Sequence, residues 1–179
     1  MRDISLHILD IAENSVKAGA KNIIILVDEN IEKNELTLEI TDDGRGMKQE
    51  LAEKAADPFV TSRTTRKVGL GISLLKEAAK AADGGLKILS KENKGTKIKA
   101  WFKYDHLDRK PLGNIAETII SLILMSADAE ISYIHRKNGE EFIFDTKEIK
   151  KQLDVITLNN SEILKGLKVL INNKLKEIS

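Results

Sequence analysis

Apolar and polar positions change period several times along the chain, and each change marks an element. From Ile4 to Gly19, residues Ile4, Ile8, Ile11, Ala12 and Ser15 recur at helical spacing, with Gly19 placed as a C-terminal cap. Leu36, Leu38 and Ile40 then alternate with Glu35, Thr37 and Glu39, which predicts a half-buried strand delivering Asp42 to its C-terminal end. A polar, basic stretch from Asp57 to Lys67 closes on Gly69-Leu70-Gly71 and opens an apolar helix at about Ile72. Gly95-Thr96 opens a further strand, Lys97 to Phe102.

Beyond Phe102 the pattern breaks. Residues 104–111, ending at Pro111, carry charges and a helix-stopping proline and read as a linker between an N-terminal domain, 1–103, and a smaller unit, 112–179. In that unit Leu112 to Met125 is apolar enough for a buried helix. Ile131 to His135 and Phe142 to Phe144 alternate as strands about Asn138-Gly139, a strong two-residue hairpin signal. Thr146 to Leu153 predicts a short helix. A last helix starts from Asn160 or Ser161 as cap and lines up Ile163, Leu164, Leu167, Leu170, Ile171, Leu175 and Ile178 on one face. The fold class is α/β, in the form of an α+β two-layer sandwich, and no internal repeat interrupts it.

Composition narrows the function. The chain has 179 residues, 41% of them hydrophobic, and no apolar run near the roughly 18 residues of a membrane span. No secretory signal opens it, so the expected location is cytoplasmic, without membrane contact. The absence of cysteine excludes disulfides, thiol nucleophiles and cysteine zinc sites. His7, His106 and His135 lack metal-ligand spacing and are expected as ordinary surface or interface side chains. A net charge of +1, from 29 basic and 28 acidic residues, leaves no general electrostatic footprint for nucleic acid.

Three stretches carry candidate chemistry. Thr41-Asp42-Asp43-Gly44-Arg45-Gly46-Met47 places a carboxylate and two glycines in the order D-x-G-x-G straight after a strand. Alone this is a common turn. As part of a pocket, the carboxylate can be held rigidly while the glycines let backbone lie against a flat ligand such as adenine. On the first helix, Asp10 and Asn14 stand one turn apart, with Lys17 a further turn along. An amide oxygen suits a magnesium ion that is also bound by phosphates, which fits Asn14. Asp10 could accept a proton from a water attacking a terminal phosphate, or simply order that water. The third stretch joins Arg63, Arg66 and Lys67 to a glycine-flanked helix start, a place where anions are welcome. An arginine can grip phosphate in a planar fork, which favours Arg63 or Arg66 for a defined contact.

Together these pieces resemble the GHKL ATPase superfamily, which contains the gyrase B subunit, the MutL mismatch-repair protein, heat-shock chaperone ATPases, sensor histidine kinases and anti-sigma serine kinases. The resemblance covers residues 1 to about 103. "LDIAENSVKAGAKNI" is similar to the family's N box, "TDDGRGM" to its first glycine box, "DPFVTSR" to its phenylalanine-containing box and "GLGIS" to its second glycine box. It implies the Bergerat ATP-binding fold, a helical layer on a mixed sheet, here with a small C-terminal α/β extension. The implied cofactors are ATP and Mg2+. By position, Asn14 would coordinate magnesium, Asp42 would accept the adenine amino group, and Gly44 and Gly46 would shape the base pocket. Gly69, Leu70 and Gly71 would bring backbone to the phosphates, and Thr96 would support the adenine site beside Asp42. Lys17, Met47, Phe59 and Arg63 complete the implied nucleotide contacts, and Asp10 is the implied catalytic residue.

Two departures bear on mechanism. The ATPase branches usually carry glutamate where this chain has Asp10, one methylene shorter, and a misplacement of about 1 Å can lower a rate on the order of a hundredfold. Lys17 and a lid of only about ten residues resemble the kinase branch, yet the N box begins almost at Met1, leaving no room for a phosphoacceptor hairpin ahead of it. The expectation is therefore an ATP- and magnesium-binding regulator. It would have slow ATPase activity or transfer phosphoryl to a partner protein met through residues 112–179; the alternative is a non-catalytic, ATP-dependent protein-binding module.

Overall fold

The computed structural model describes residues 1–55, 70–126 and 128–178. The first helix, α1 (Ile4–Lys17), starts where the Asp3 carboxylate accepts the Leu6 N–H, satisfying one orphan donor of the first turn. Ile4, Ile8, Ile11 and Ala12 turn into the core, and the chain then enters β1 (Asn22–Asn30). A tight turn leads to β2 (Glu35–Asp42), followed by the short α2 (Gln49–Ala55), then α3 (Gly71–Ala81), β3 (Gly85–Lys91) and β4 (Gly95–Lys103). The remainder forms α4 (Ile115–Met125), β5 (Glu130–Lys137), β6 (Glu140–Asp145), α5 (Thr146–Leu153) and α6 (Ser161–Glu177). The β5–β6 hairpin turns on Asn138 and Gly139 at φ +51° and +87°, as the Asn-Gly pair demands. Asn160 caps α6 by accepting from the Glu162 and Ile163 amides.

All six strands form one sheet in the order β3-β4-β2-β1-β5-β6. Only β1 and β5 pair in parallel; the other neighbours are antiparallel. One face presents Ile23, Ile25, Val27, Leu36, Leu38, Ile40, Ala100, Phe102 and Tyr133 to a single buried cluster that also contains the apolar sides of α1, α3, α4 and α6. Each fully buried aliphatic side chain contributes about 1.5–3 kcal/mol, so this shared layer dominates the stability of the fold. Helices α4 and α6 and strands β5 and β6 belong to it. The parallel pairing runs from Asn22 opposite Glu130 to Glu29 opposite Lys137, and β6 then closes the row. The Ile4 and Ser5 amides donate to the Pro111 and Leu112 carbonyls at 2.9 and 2.8 Å, and Thr118 Oγ1 on α4 donates to the Ser5 carbonyl. Residues 104–111 thus connect two stretches of chain that share a core, a sheet and helix α1.

Two histidines that read as surface groups are buried instead. His135 falls on the core side of β5 because it continues the row of Ile131 and Tyr133, and its burial is made tolerable by partners. Its Nε2 lies 2.8 Å from Glu29 Oε1, its Nδ1 lies 2.7 Å from the Tyr133 hydroxyl, and the Tyr104 hydroxyl donates to Glu29 Oε2 at 3.1 Å. Burial opposes ionisation of Glu29, but the His135 hydrogen bond, Lys137 and Tyr104 together hold its carboxyl below the ordinary value. His106 is half-buried between Asp83 and Asp108.

His7 is 2% exposed and its Nδ1 has no hydrogen-bond partner. Burial, reinforced by the N-terminal ammonium, lowers its pKa from 6.5 to about 4, with Asp3 partly offsetting the shift. The unfolded chain therefore takes up a proton near pH 6.5 that the folded chain resists until about pH 4, so this group's stabilising neutrality is full above pH 6.5 and is lost as pH falls through that window. We expect the melting temperature of wild type to drop across this range and the drop to be smaller in His7→Leu; parallel profiles in scanning calorimetry would refute the assignment.

Candidate functional site

Strand β2 places Leu36, Leu38 and Ile40 in the core, and the same two-residue period carries Asp42 onto that side at the strand's end. A carboxylate at the rim of an apolar layer must be satisfied. Ser15 Oγ on α1 donates to Asp42 Oδ2 at 2.7 Å, and the Gly44 amide donates to Oδ1 at 2.9 Å. The neighbouring Asp43 points the other way and accepts the Lys21 and Asn22 amides and the Asn22 side chain, anchoring the loop to β1. Those bonds outweigh its desolvation and lower its pKa. The D-D pair thus divides into one cavity-lining carboxylate and one that anchors the loop.

The loop after Asp42 lies close against the β3–β4 hairpin. Gly46 has φ +62°, and a Cβ there would sit 2.1 Å from the Lys91 carbonyl oxygen, so only glycine fits. The Asn93 amide donates to the Arg45 carbonyl at 2.6 Å and the Met47 amide to Ser90 Oγ at 2.8 Å. Ser90 Oγ also lies 2.9 Å from Thr96 Oγ1, and Thr96 stands directly opposite Asp42 in the β2–β4 register.

These elements enclose a cavity of about 290 Å³. Asn14, Lys17, Asp42, Gly46, Met47 and Thr96 line it, so six of the residues singled out in the sequence are gathered in one place. Gly44 adjoins it through its bond to Asp42. The apolar floor includes Ile11, Ile72 and Ile98, which suits a flat aromatic ring, while Ser15 and Arg45 add polar atoms. No described residue hydrogen-bonds the Asn14 amide, which leaves its oxygen available as a hard ligand. Among the described residues no cluster of three acidic, histidine or cysteine side chains could hold a metal alone. A divalent ion at Asn14 would thus need oxygens brought by a phosphate ligand, and the donor set fits magnesium on that condition. The Lys17 ammonium lies 2.7 Å from Glu13 and is largely exposed.

At the far side of the site, α3 begins at the buried Gly71 with no side chain capping its first turn, and Leu70 at its N-cap is exposed. Leu70, as N-cap, offers the first amides no side-chain hydrogen bond. Asp10 reaches this point from α1: a Cβ on Gly71 would lie 1.7 Å from Asp10 Oδ2. Burial, then the nearby Glu13 carboxylate, raises the Asp10 pKa, with Lys17 opposing. Glu13, three residues along α1 from Asp10, is its neighbour on the helix surface and acts on it directly. Phe59, Arg63 and Gly69, with Arg66 and Lys67, lie outside the described residues.

Sequence reasoning passed over Ser15 and Ser90. Each had a signal, since Ser15 continues the apolar stripe of α1 and Ser90 continues the Leu86, Ile88 row of β3.

Comparison with known proteins gives the fold its relatives. Residues 2–106 match the family described as histidine kinase-, DNA gyrase B- and HSP90-like ATPase. An NtrY-like sensor histidine kinase of Rickettsia bellii is 28% identical over 110 residues, which cover 62% of this chain and 18% of that protein. The signal transduction histidine-protein kinase ArlS of Staphylococcus aureus is 33% identical over 95 residues, 50% of this chain and 21% of the relative. This chain therefore matches about a fifth of the length of those kinases. The Aquifex aeolicus MutL ATPase domain complexed with ADP superposes with a TM-score of 0.52 at 14% identity, covering 87% of this chain and 70% of that one. The N-terminal domain of a DNA repair protein gives a TM-score of 0.55 at 16% identity, over 82% of this chain and 53% of that one. These superpositions speak for the shared two-layer fold.

The contact between Gly71 and Asp10 is directly testable. Gly71→Ala is expected to destabilise the protein and Asp10→Ala to relieve most of that loss, a coupling on the order of 1–3 kcal/mol in a double-mutant cycle by denaturant unfolding. Additive effects would show that the two groups do not share the space.

Proposed function

The chain belongs to the histidine kinase-, DNA gyrase B- and HSP90-like ATPase family, and we propose that it binds ATP with magnesium and uses the nucleotide to regulate a partner protein. One observation carries this reading: an amide from α1, a carboxylate from β2 and a hydroxyl from β4 converge on one cavity whose floor is apolar. The adenine ring lies on Ile11, Ile72 and Ile98, its amino group toward Asp42 and Thr96, and backbone at Gly44 and Gly46 follows the edge of the base. Asn14 is the protein ligand of magnesium, which when bound neutralises phosphate charge. Leu70 and Gly71, at the uncapped start of α3, accept the phosphates through backbone N–H groups, with Lys17, Gly69 and Arg63 as further contacts. Met47 lines the wall, and Phe59 is assigned as a nucleotide contact on the family resemblance of its sequence alone. The partner protein meets residues 112–179, where Leu124, Met125, Val169 and Leu170 are exposed.

Asp10 is the group we assign to turnover. Its carboxylate stands at the start of α3, where a terminal phosphate would be held, and its raised pKa makes it a better proton acceptor than an ordinary aspartate. In hydrolysis it takes a proton from the attacking water as the bond to the terminal phosphorus forms and the bond to the leaving oxygen breaks. In transfer it does the same for an acceptor group of the partner. The same residue supports a second reading, because its side chain is one methylene shorter than glutamate and a base held short of the attacking atom leaves binding without turnover.

Asp42→Ala is expected to abolish ATP binding in calorimetry with and without magnesium, since the amino group would lose a buried acceptor; unchanged affinity would sink the nucleotide reading. Slow hydrolysis by wild type is expected to rise with pH through a carboxylate midpoint above the ordinary aspartate value, because only the deprotonated Asp10 acts. Asp10→Asn should bind ATP and lose that activity; unaltered turnover would remove Asp10 from the mechanism, and no turnover in wild type would favour the binding-module reading.

A further inference from the structure

We propose that Ser90 fixes the Thr96 hydroxyl as an acceptor-only group and so makes this cavity select a purine with a 6-amino group over one with a 6-oxo group. The inference rests on the nucleotide reading above and adds the residue that sets base choice.

Ser90 Oγ has three partners. The Met47 amide approaches at 2.8 Å, the Gly95 carbonyl oxygen at 3.1 Å and Thr96 Oγ1 at 2.9 Å. A hydroxyl has one hydrogen and two lone pairs. The Met47 amide can only donate, so it occupies one lone pair; the Gly95 carbonyl can only accept, so it takes the hydrogen. What remains on Ser90 is a lone pair, and Thr96 must donate to it. The opposite arrangement, with Ser90 donating to Thr96, would leave two oxygens 3.1 Å apart with no hydrogen between them. With its only hydrogen spent behind it, Thr96 offers the cavity lone pairs alone.

Asp42 is in the same condition. Its two oxygens already accept from Ser15 and Gly44, and what they have left for a ligand is lone pairs. Asp42 and Thr96 are direct partners across an antiparallel pair, so their Cβ atoms are about 4.5–5.5 Å apart on one face. An amino group whose two N–H bonds diverge by about 120°, each reaching about 2.9 Å, spans two acceptors about 5 Å apart. A 6-oxo group would set an oxygen against both. The corner therefore reads a primary amine, and Ser90, which touches neither ligand nor Asp42, is the positioning residue behind half of it.

The experiment is titration calorimetry of ATP and GTP, each with magnesium, against wild type, Ser90→Ala and Ser90→Thr, with melting curves to confirm folding. Loss of Ser90 frees the Thr96 hydrogen to turn toward an oxo group. The ATP:GTP affinity ratio is expected to fall about tenfold in Ser90→Ala and to be kept in Ser90→Thr, which restores the hydroxyl. A merely structural role would weaken both nucleotides alike, and an unchanged ratio in Ser90→Ala overturns the proposal while leaving ATP binding in place. Absence of ATP binding by wild type overturns the nucleotide reading and the proposal together. Should Ser90→Ala not fold, N6-methyl-ATP decides on wild type and Thr96→Val. The analogue, with one N–H removed, should bind wild type about tenfold more weakly than ATP and Thr96→Val no more weakly than ATP; any other pattern overturns the proposal.

Discussion

The two-residue period of β2 and β4 is the constraint on which the molecule depends. Leu36, Leu38 and Ile40 on one strand and Ile98, Ala100 and Phe102 on its partner fill the core, and the register fixes Asp42 and Thr96 as the next members of those rows. A slip by one residue would turn both polar groups to the outer face and the core to solvent. Burial of the apolar rows and placement of the cavity-lining pair Asp42 and Thr96 are therefore one event. The pocket is the place where the core layer runs out of side chains at the sheet's end, and the Asp42 and Thr96 oxygens there have partners because burial requires it.

Helix α1 joins this rim to the rest of the structure. Its stripe of Ile8, Ile11 and Ala12 packs in the core, while Asp10, Asn14 and Ser15 reach, respectively, the start of α3, the cavity and the Asp42 carboxylate. Its first turn is bonded to Pro111 and Leu112 and touches α4 through Thr118. A displacement of α1 at the cavity end would move the helix on which the C-terminal half rests, because packed layers transmit strain.

Much of this was legible in the sequence where a short-range signal existed. The helical stripe of α1, the alternation of β2, the Asn138-Gly139 hairpin and the Asn160 cap each rest on residues a few positions apart, and the structure has all four. Strands β1 and β3 were harder: Ile23 to Val27 is a continuous apolar run without a period, and β3 spends its outward positions on Lys87, Leu89 and Lys91. The parallel pairing of β1 with β5 has no local signature, since it joins residues more than a hundred positions apart. Ser15, Ser90, His7 and His135 share one trait that went unused. Each is a polar residue in the apolar phase of its element, where a side chain is either satisfied by a partner or left, like the His7 Nδ1, without one. Around the glycine-rich loops, spacing suggested which groups gather but gave no measure of how tightly Gly46 and Gly71 press on the Lys91 carbonyl and Asp10.

The β1–β5 pairing also has a consequence in time. Strand β1 is complete once the chain has passed Asn30, and β2 follows at once as a hairpin, but the opposite edge of β1 stays open until Glu130 to Lys137 exist. At about 5–20 residues per second, synthesis takes on the order of 5–20 s to cross that gap. Through that interval an isoleucine-rich strand presents bare backbone donors and acceptors to the cell, which is the geometry on which one nascent chain captures another. The β1–β5 seam is thus sewn more than a hundred residues after the β1–β2 seam on the strand's other edge, and its closure ends that exposure.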